Sequence, residues 1–179
     1  SFTALSLAKM GFDNITVFDD DKIDIENMNC QFFRHSDIGR YKTEALFDLV
    51  KDFTNIEISY RTGLWDGKPL EGIVISAVDN METRRKVLET HFGANPNTKL
   101  IIDPRMSAEQ ALMYAINPFS KEDKARYEKT LYTDAEAVQE RCTAKSTMYT
   151  VLQISGAVCS AVKAFVVDGN YPRNFMFDT

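Results

Sequence analysis

Three groups of side chains in this 179-residue sequence have the types and spacing for sugar and phosphate chemistry. The first is Val17-Phe18-Asp19-Asp20-Asp21-Lys22-Ile23, a short β-branched and aromatic run that ends in carboxylates. In doubly wound folds, a carboxylate fixed at the end of a strand accepts hydrogen bonds from ribose hydroxyls, and Asp19 has that place. A solvated acidic turn is the plain alternative. A calcium loop is excluded, because Ile23 stands where an oxygen ligand belongs and no glycine follows. Taken alone, the run would serve NAD as well as ATP.

The second group is Asn27-Met28-Asn29-Cys30-Gln31 followed by Asp37-Ile38-Gly39-Arg40-Tyr41-Lys42. Lys42 stands near the start of an amphipathic segment, where its ammonium would join helix-end N–H groups that already favour anions. Without other context it is a solvated helix residue. The third is Ile73-Val74-Ile75-Ser76-Ala77-Val78-Asp79-Asn80, with Arg84 four residues on. A buried strand that releases a carboxylate at its carboxyl end places it in the crevice where such sheets bind ligands. Magnesium needs only one or two carboxylates beside phosphate oxygens, so Asp79 suffices. Alternatively, Asp79 or Asn80 only caps the helix that follows.

The order Asp19-x-Asp21-x-Ile23-x-x-x-Asn27-Met28-x-x-Gln31, then Gly39-x-x-Lys42, resembles the signature of the ThiF/MoeB (ubiquitin-activating-enzyme-like) superfamily. The resemblance implies that Asp19 holds the ATP ribose and that Asn27 and Lys42 meet the triphosphate. Asp21 and Gln31 would support them, and Asp79, beside Asn80, would coordinate Mg2+. The chain departs from the family at Cys30, where an arginine is usual; a neutral thiol cannot replace a guanidinium on phosphate. Arg34 is the candidate to supply that charge. Arg105, after Asp103-Pro104, falls where the family carries an Arg or Gly-rich segment near the substrate's carboxyl terminus, although an ion pair would also account for it. Cys142 lies between Arg141 and Lys145 at the start of an expected helix, a setting that favours thiolate. Some family members capture the acyl group on such a cysteine; an ordinary helix-start residue is the alternative. Zinc is not expected, because Cys30, Cys142 and Cys159 are scattered and form no C-x-x-C pair.

What the resemblance implies is an adenylyltransferase that uses ATP and Mg2+. A substrate carboxylate, often the end of a ubiquitin-like or sulfur-carrier protein, attacks the α-phosphorus to give an acyl-adenylate. Homodimers are common in the family, so a homodimer is expected. Two other classes stay open. One is a catalytically degenerate member that serves as a binding partner or scaffold. The other is an NAD-dependent oxidoreductase, which would leave Asn27, Gln31, Lys42 and Asp79 without a purpose.

These residues need a scaffold, and the patterning supplies one. Short apolar runs alternate with striped segments, as a doubly wound, Rossmann-like α/β domain with a parallel sheet requires. Helices are expected at Ser1–Met10, Arg40–Phe53, Met81–His91 and Thr143–Val167. Strands are expected at Ile15–Phe18, Ile56–Tyr60, Ile73–Ala77, Lys99–Ile102, Ala111–Ile116 and Asn174–Phe177. Residues 1–179 read as one domain, with a charged and exposed crossover at about 118–142. Such a domain usually opens with a strand and a glycine-rich loop, so both are expected ahead of Ser1. The net charge of −5 argues against nucleic-acid binding. Three scattered cysteines suit a reducing, cytoplasmic setting, and Ser1–Met10 lacks the basic region of a signal peptide. Ser146–Val167, interrupted by Gln153, Ser155, Ser160 and Lys163, reads as a buried helix, so no membrane is expected.

Overall fold

Most of the apolar runs form strands and the striped segments form helices, although the strand expected at Ile56–Tyr60 lies at Ser59–Thr62 and is exposed. The computed structural model of the protein describes residues 1–93, 96–107, 109–132 and 147–178. In chain order the elements are α1 (Phe2–Lys9), β1 (Thr16–Asp19), α2 (Lys42–Thr54), β2 (Ser59–Thr62), β3 (Gly72–Ile75), α3 (Met81–His91), β4 (Thr98–Met106), β5 (Gln110–Ile116), α4 (Lys121–Glu128), α5 (Met148–Asp168) and β6 (Asn174–Asp178). The stripe of α2 buries Ala45, Leu46, Leu49 and Val50; Leu46 and Val50 join Leu5 and Ala8 of α1 and Ile58. Asn55 ends α2 in the left-handed region (φ 59°), a conformation that asparagine tolerates better than most residues.

β1 pairs in parallel with β2, and β3 pairs in parallel with β4. From β4 onward the sheet turns antiparallel, in the order β3-β4-β5-β6. Leu100 and Ile102 of β4, with Met113 and Ala115, pack on Ile154, Val158 and Val162 of α5. Ile101 points the other way, onto Val87, Leu88 and Tyr127. Alternation along a strand thus gives the sheet helices on both faces. α5 is long and apolar enough to span a membrane, but its stripe of Val151, Ile154, Val158, Ala161 and Val162 is buried, as a core helix requires.

Two expectations need correction. β4 does not end at Ile102 as expected but runs on through Asp103-Pro104 to Met106 in register with β5. The Ser76 N–H donates to the Ile102 carbonyl (2.8 Å), so even-numbered residues of β4 aim their backbone groups towards β3. β3 has ended by position 104, and the missing N–H of Pro104 breaks no ladder bond. The crossover is also not wholly exposed at its start, because α4 buries Asp123 and Tyr127. Residues 133–146, with Cys142, lie outside the described residues.

Ser76 shares a face with Val74 by strand alternation. Its hydroxyl is buried and has no hydrogen-bond partner among the described residues. Ser76→Ala removes a desolvated, unpaired group and is expected to raise the unfolding free energy by about 1 kcal/mol, read from urea denaturation.

Candidate functional site

The loop after β1 is stitched to the turn before α2. Gly39 N–H donates to the Ile23 carbonyl (2.8 Å), Ile23 N–H to the Arg40 carbonyl (2.9 Å) and Lys42 N–H to the Asp21 carbonyl (2.9 Å). Gly39 has φ +88°, which glycine adopts at no steric cost. Arg40 holds the turn in place by bridging Asp37 (2.9 Å) and Asp48 (2.6 Å). These contacts bring Lys42, the first residue of α2, over the acidic loop. Its Nζ lies 2.5 Å from Asp21 Oδ2, and Asp19 Oδ1 accepts the Asp21 N–H (2.9 Å).

Burial raises the Asp19 pKa above its ordinary value; the Asp21 N–H and the Lys42 charge act against that rise, while the charges of Asp21 and Asp20 add to it. The head of α1 completes the cluster. Ser1 Oγ accepts the Phe32 N–H (2.8 Å).

Asn27 lies in the adjoining 3-10 turn, Ile25–Asn29. Its Oδ1 accepts the Asp24 N–H (2.9 Å), which leaves the amide NH2 as a donor for a ligand. Gln31 follows one turn on, its N–H bonded to the Asn27 carbonyl (2.8 Å). Asp79 follows β3 and is exposed. Asn80 caps α3, its Oδ1 accepting the Thr83 N–H (2.8 Å), and its Nδ2 donates to Asp79 Oδ1 (3.2 Å). The cap therefore belongs to Asn80, and the Asp79 carboxylate is available to a cation. Carboxylate oxygens of Asp19, Asp20 and Asp21 also lie within 4.8 Å of one another, but Lys42 already engages Asp21.

Several expected site residues take other roles. Arg34 is not drawn to the loop, because its guanidinium pairs with Asp52 in the last turn of α2. Asn80 uses one acceptor site on Thr83 N–H and one donor on Asp79, so its amide caps α3 and steers Asp79. Arg105 is half-buried and fully engaged: Nε donates to Asp103 Oδ2 (2.7 Å), and the other nitrogens donate to the Thr130 carbonyl (2.8 Å) and Oγ1 (3.0 Å). It is an internal anchor and does not present itself to a substrate carboxylate. Cys142 lies outside the described residues. Cys159 is buried, which raises its thiol pKa and leaves it inert. His91 is also structural; its Nε2 accepts the Leu70 N–H (2.9 Å) and its ring stacks on Trp65.

The contacts thus gather Asp19, Asp21 and Lys42, with Asn27 and Gln31 on the next turn. No hydrogen bond or ion pair among the described residues joins Asp79 to them. Sequence reasoning assigned nothing to Asp103, Arg84 or Tyr127, which form a buried cluster at the end of β4. The available signal was an aspartate within the apolar run Leu100-Ile101-Ile102-Asp103, since a buried carboxylate needs partners.

The family model described as ThiF family matches residues 1–176. The ubiquitin-like modifier-activating enzyme 5 of Culex quinquefasciatus is 34% identical over 106 residues, covering 49% of this chain and 27% of that protein. The microcin C7 biosynthetic enzyme MccB, solved in complex with N-formylated MccA, superposes with a TM-score of 0.80 at 16% identity, covering 99% of this chain and 58% of MccB. E. coli MccB solved with ATP gives a TM-score of 0.78 at 16% identity, covering 99% and 57%. The chain therefore spans well under two thirds of the proteins it matches, and the structural likeness establishes the fold.

Proposed function

The chain belongs to the ThiF family, and from that premise we propose that it binds ATP with magnesium and adenylates a substrate carboxylate. The observation that carries this reading is the cluster of Asp19, Asp21 and Lys42, in which a strand-end carboxylate and a helix-start ammonium are fixed together by three backbone hydrogen bonds. Asp19 accepts the ribose hydroxyls. Lys42 and the Asn27 amide donate to phosphate oxygens, with Gln31 beside them. Asp79, exposed and free of the cap, suits magnesium, which takes one or two protein carboxylates and completes its shell with phosphate oxygens and water. Bound there, magnesium would neutralise charge on the phosphates.

In the reaction, a carboxylate oxygen forms a bond to the α-phosphorus and the bond from that phosphorus to the bridging oxygen breaks, releasing pyrophosphate. The chain's part is to position the groups and stabilise charge: Lys42 is held in advance by Asp21, so little reorganisation is needed when triphosphate arrives. The substrate class is the carboxyl terminus of a ubiquitin-like or sulfur-carrier protein, and the working state is a cytoplasmic homodimer.

One observation favours a second reading, a binding member of the family without catalysis. Cys30 replaces the usual arginine, and Arg34, the candidate to compensate, is held by Asp52. Calorimetry and ATP–pyrophosphate exchange on the full-length protein separate the readings. Magnesium-ATP is expected to bind and NAD is not, with exchange appearing when a ubiquitin-like protein ending in Gly-Gly is added. Binding of ATP without exchange supports the scaffold, and binding of NAD in place of ATP overturns both.

A further inference from the structure

We propose that Arg84 is a positioning residue that fixes the backbone presenting Asp79 and thereby sets the affinity for magnesium; this rests on the nucleotide reading above. β3 ends at Ile75, and its last ladder bond runs from the Ser76 N–H to the Ile102 carbonyl (2.8 Å). The segment from Ala77 to Asp79 therefore has no strand to hold it. Arg84 takes over. Its side chain is only 7% exposed, its Nε donates to Asp103 Oδ1 (3.0 Å), and its Nη2 donates to the carbonyl of Val78. Val78 is the residue immediately before Asp79, so the guanidinium grips the peptide group that leads into the ligand residue. On the other flank, the Asn80 amide that caps α3 also touches Asp79. The carboxylate is thus exposed at its tip and fixed at its root from both sides.

The planar fork of arginine suits this task, because it reaches a carboxylate and a carbonyl at once, which a lysine ammonium does less well. Magnesium is sensitive to the result, since it demands near-octahedral geometry with ligand distances of about 2.0–2.1 Å. The same cluster contains its own control. Arg105 binds the other oxygen of Asp103 (2.7 Å), but its remaining hydrogen bonds go to Thr130 and its guanidinium lies over the Tyr114 and Tyr127 rings; among the described residues none of these contacts goes to Val78.

In the full-length protein, Arg84→Lys is expected to raise the magnesium concentration for half-maximal ATP binding roughly 10–100-fold, the usual cost of losing a group that orients a metal ligand. Its affinity for adenosine should stay at the wild-type value. Arg105→Gln is expected to lower Tm and leave the magnesium requirement unchanged. If Arg84→Lys does not fold, Arg84→Gln, which leaves Asp103 paired with Arg105 so that the buried charges stay balanced, provides the same comparison. An unchanged magnesium requirement in the Arg84 variant, or an equal shift in Arg105→Gln, overturns the positioning role alone. Failure of the wild-type protein to bind ATP with magnesium overturns the functional reading, and this inference with it.

Discussion

Asp103→Asn is expected to lower the unfolding free energy by about 3–5 kcal/mol, the cost of removing one partner from a buried ion cluster. The size follows from what is left behind. Asp103 is fully buried and uses both oxygens: Oδ1 accepts Arg84 Nε (3.0 Å), and Oδ2 accepts Arg105 Nε (2.7 Å) and the Tyr127 hydroxyl (2.8 Å). Both arginine side chains are shielded, at 7% and 12% exposure. An asparagine would keep one acceptor but turn an NH2 towards a guanidinium, leaving two cations in an apolar layer with no counter-charge. Tyr127 reports the same environment. Burial, reinforced by the neighbouring Asp103 charge, raises its hydroxyl pKa far above the ordinary tyrosine value. An exposed pair such as Arg34 with Asp52, at 41% and 60% exposure, contributes at most about 1 kcal/mol. Urea denaturation of both Asp103→Asn and Asp52→Asn checks the contrast; equal losses in the two variants would show that the Asp103 cluster is not sealed from solvent.

Lys42→Ala is expected to reduce ATP–pyrophosphate exchange by about 100–1000-fold, the range for deleting one preorganised group aimed at transition-state charge. Two effects act in the same direction. The phosphates lose a cation that the structure holds ready, 2.5 Å from Asp21. They also meet the carboxylates of Asp19, Asp20 and Asp21, clustered within 4.8 Å, without the ammonium that screens them. The second effect has its own test: Asp21→Asn added to Lys42→Ala should recover part of the lost ATP affinity by removing one of those charges. Stability should change by about 1 kcal/mol or less, because the Lys42 side chain is shielded (14% exposed) but its partner Asp21 is 65% exposed, and a pair open to solvent on one side contributes little. Less than a tenfold loss of exchange, with ATP affinity unaltered, would remove Lys42 from the phosphate site.

The sequence by itself determined whatever depends on near neighbours. The stripe Ala45, Leu46, Leu49 and Val50 repeats at helical spacing, so α2 and its buried face were legible, and Lys42 fell at its start. The order of Asp19, Asn27 and Gly39-x-x-Lys42 marked the loop that the structure stitches together, because backbone bonds between residues 21–23 and 39–42 need only a short turn with glycine at its corner. Tertiary structure alone decided where the arginines point. Arg34 went to a carboxylate 18 residues away, Arg84 to one 19 residues away, and Arg105 reached a threonine 25 residues away. Periodicity carries no information on such pairings, since a long charged side chain bonds to whichever partner the packed elements bring within about 3 Å. The same holds for the choice between Asp79 and Asn80 as cap, and for the length of β4. Both turn on where a strand ends against its neighbour, and that is fixed only when the sheet assembles.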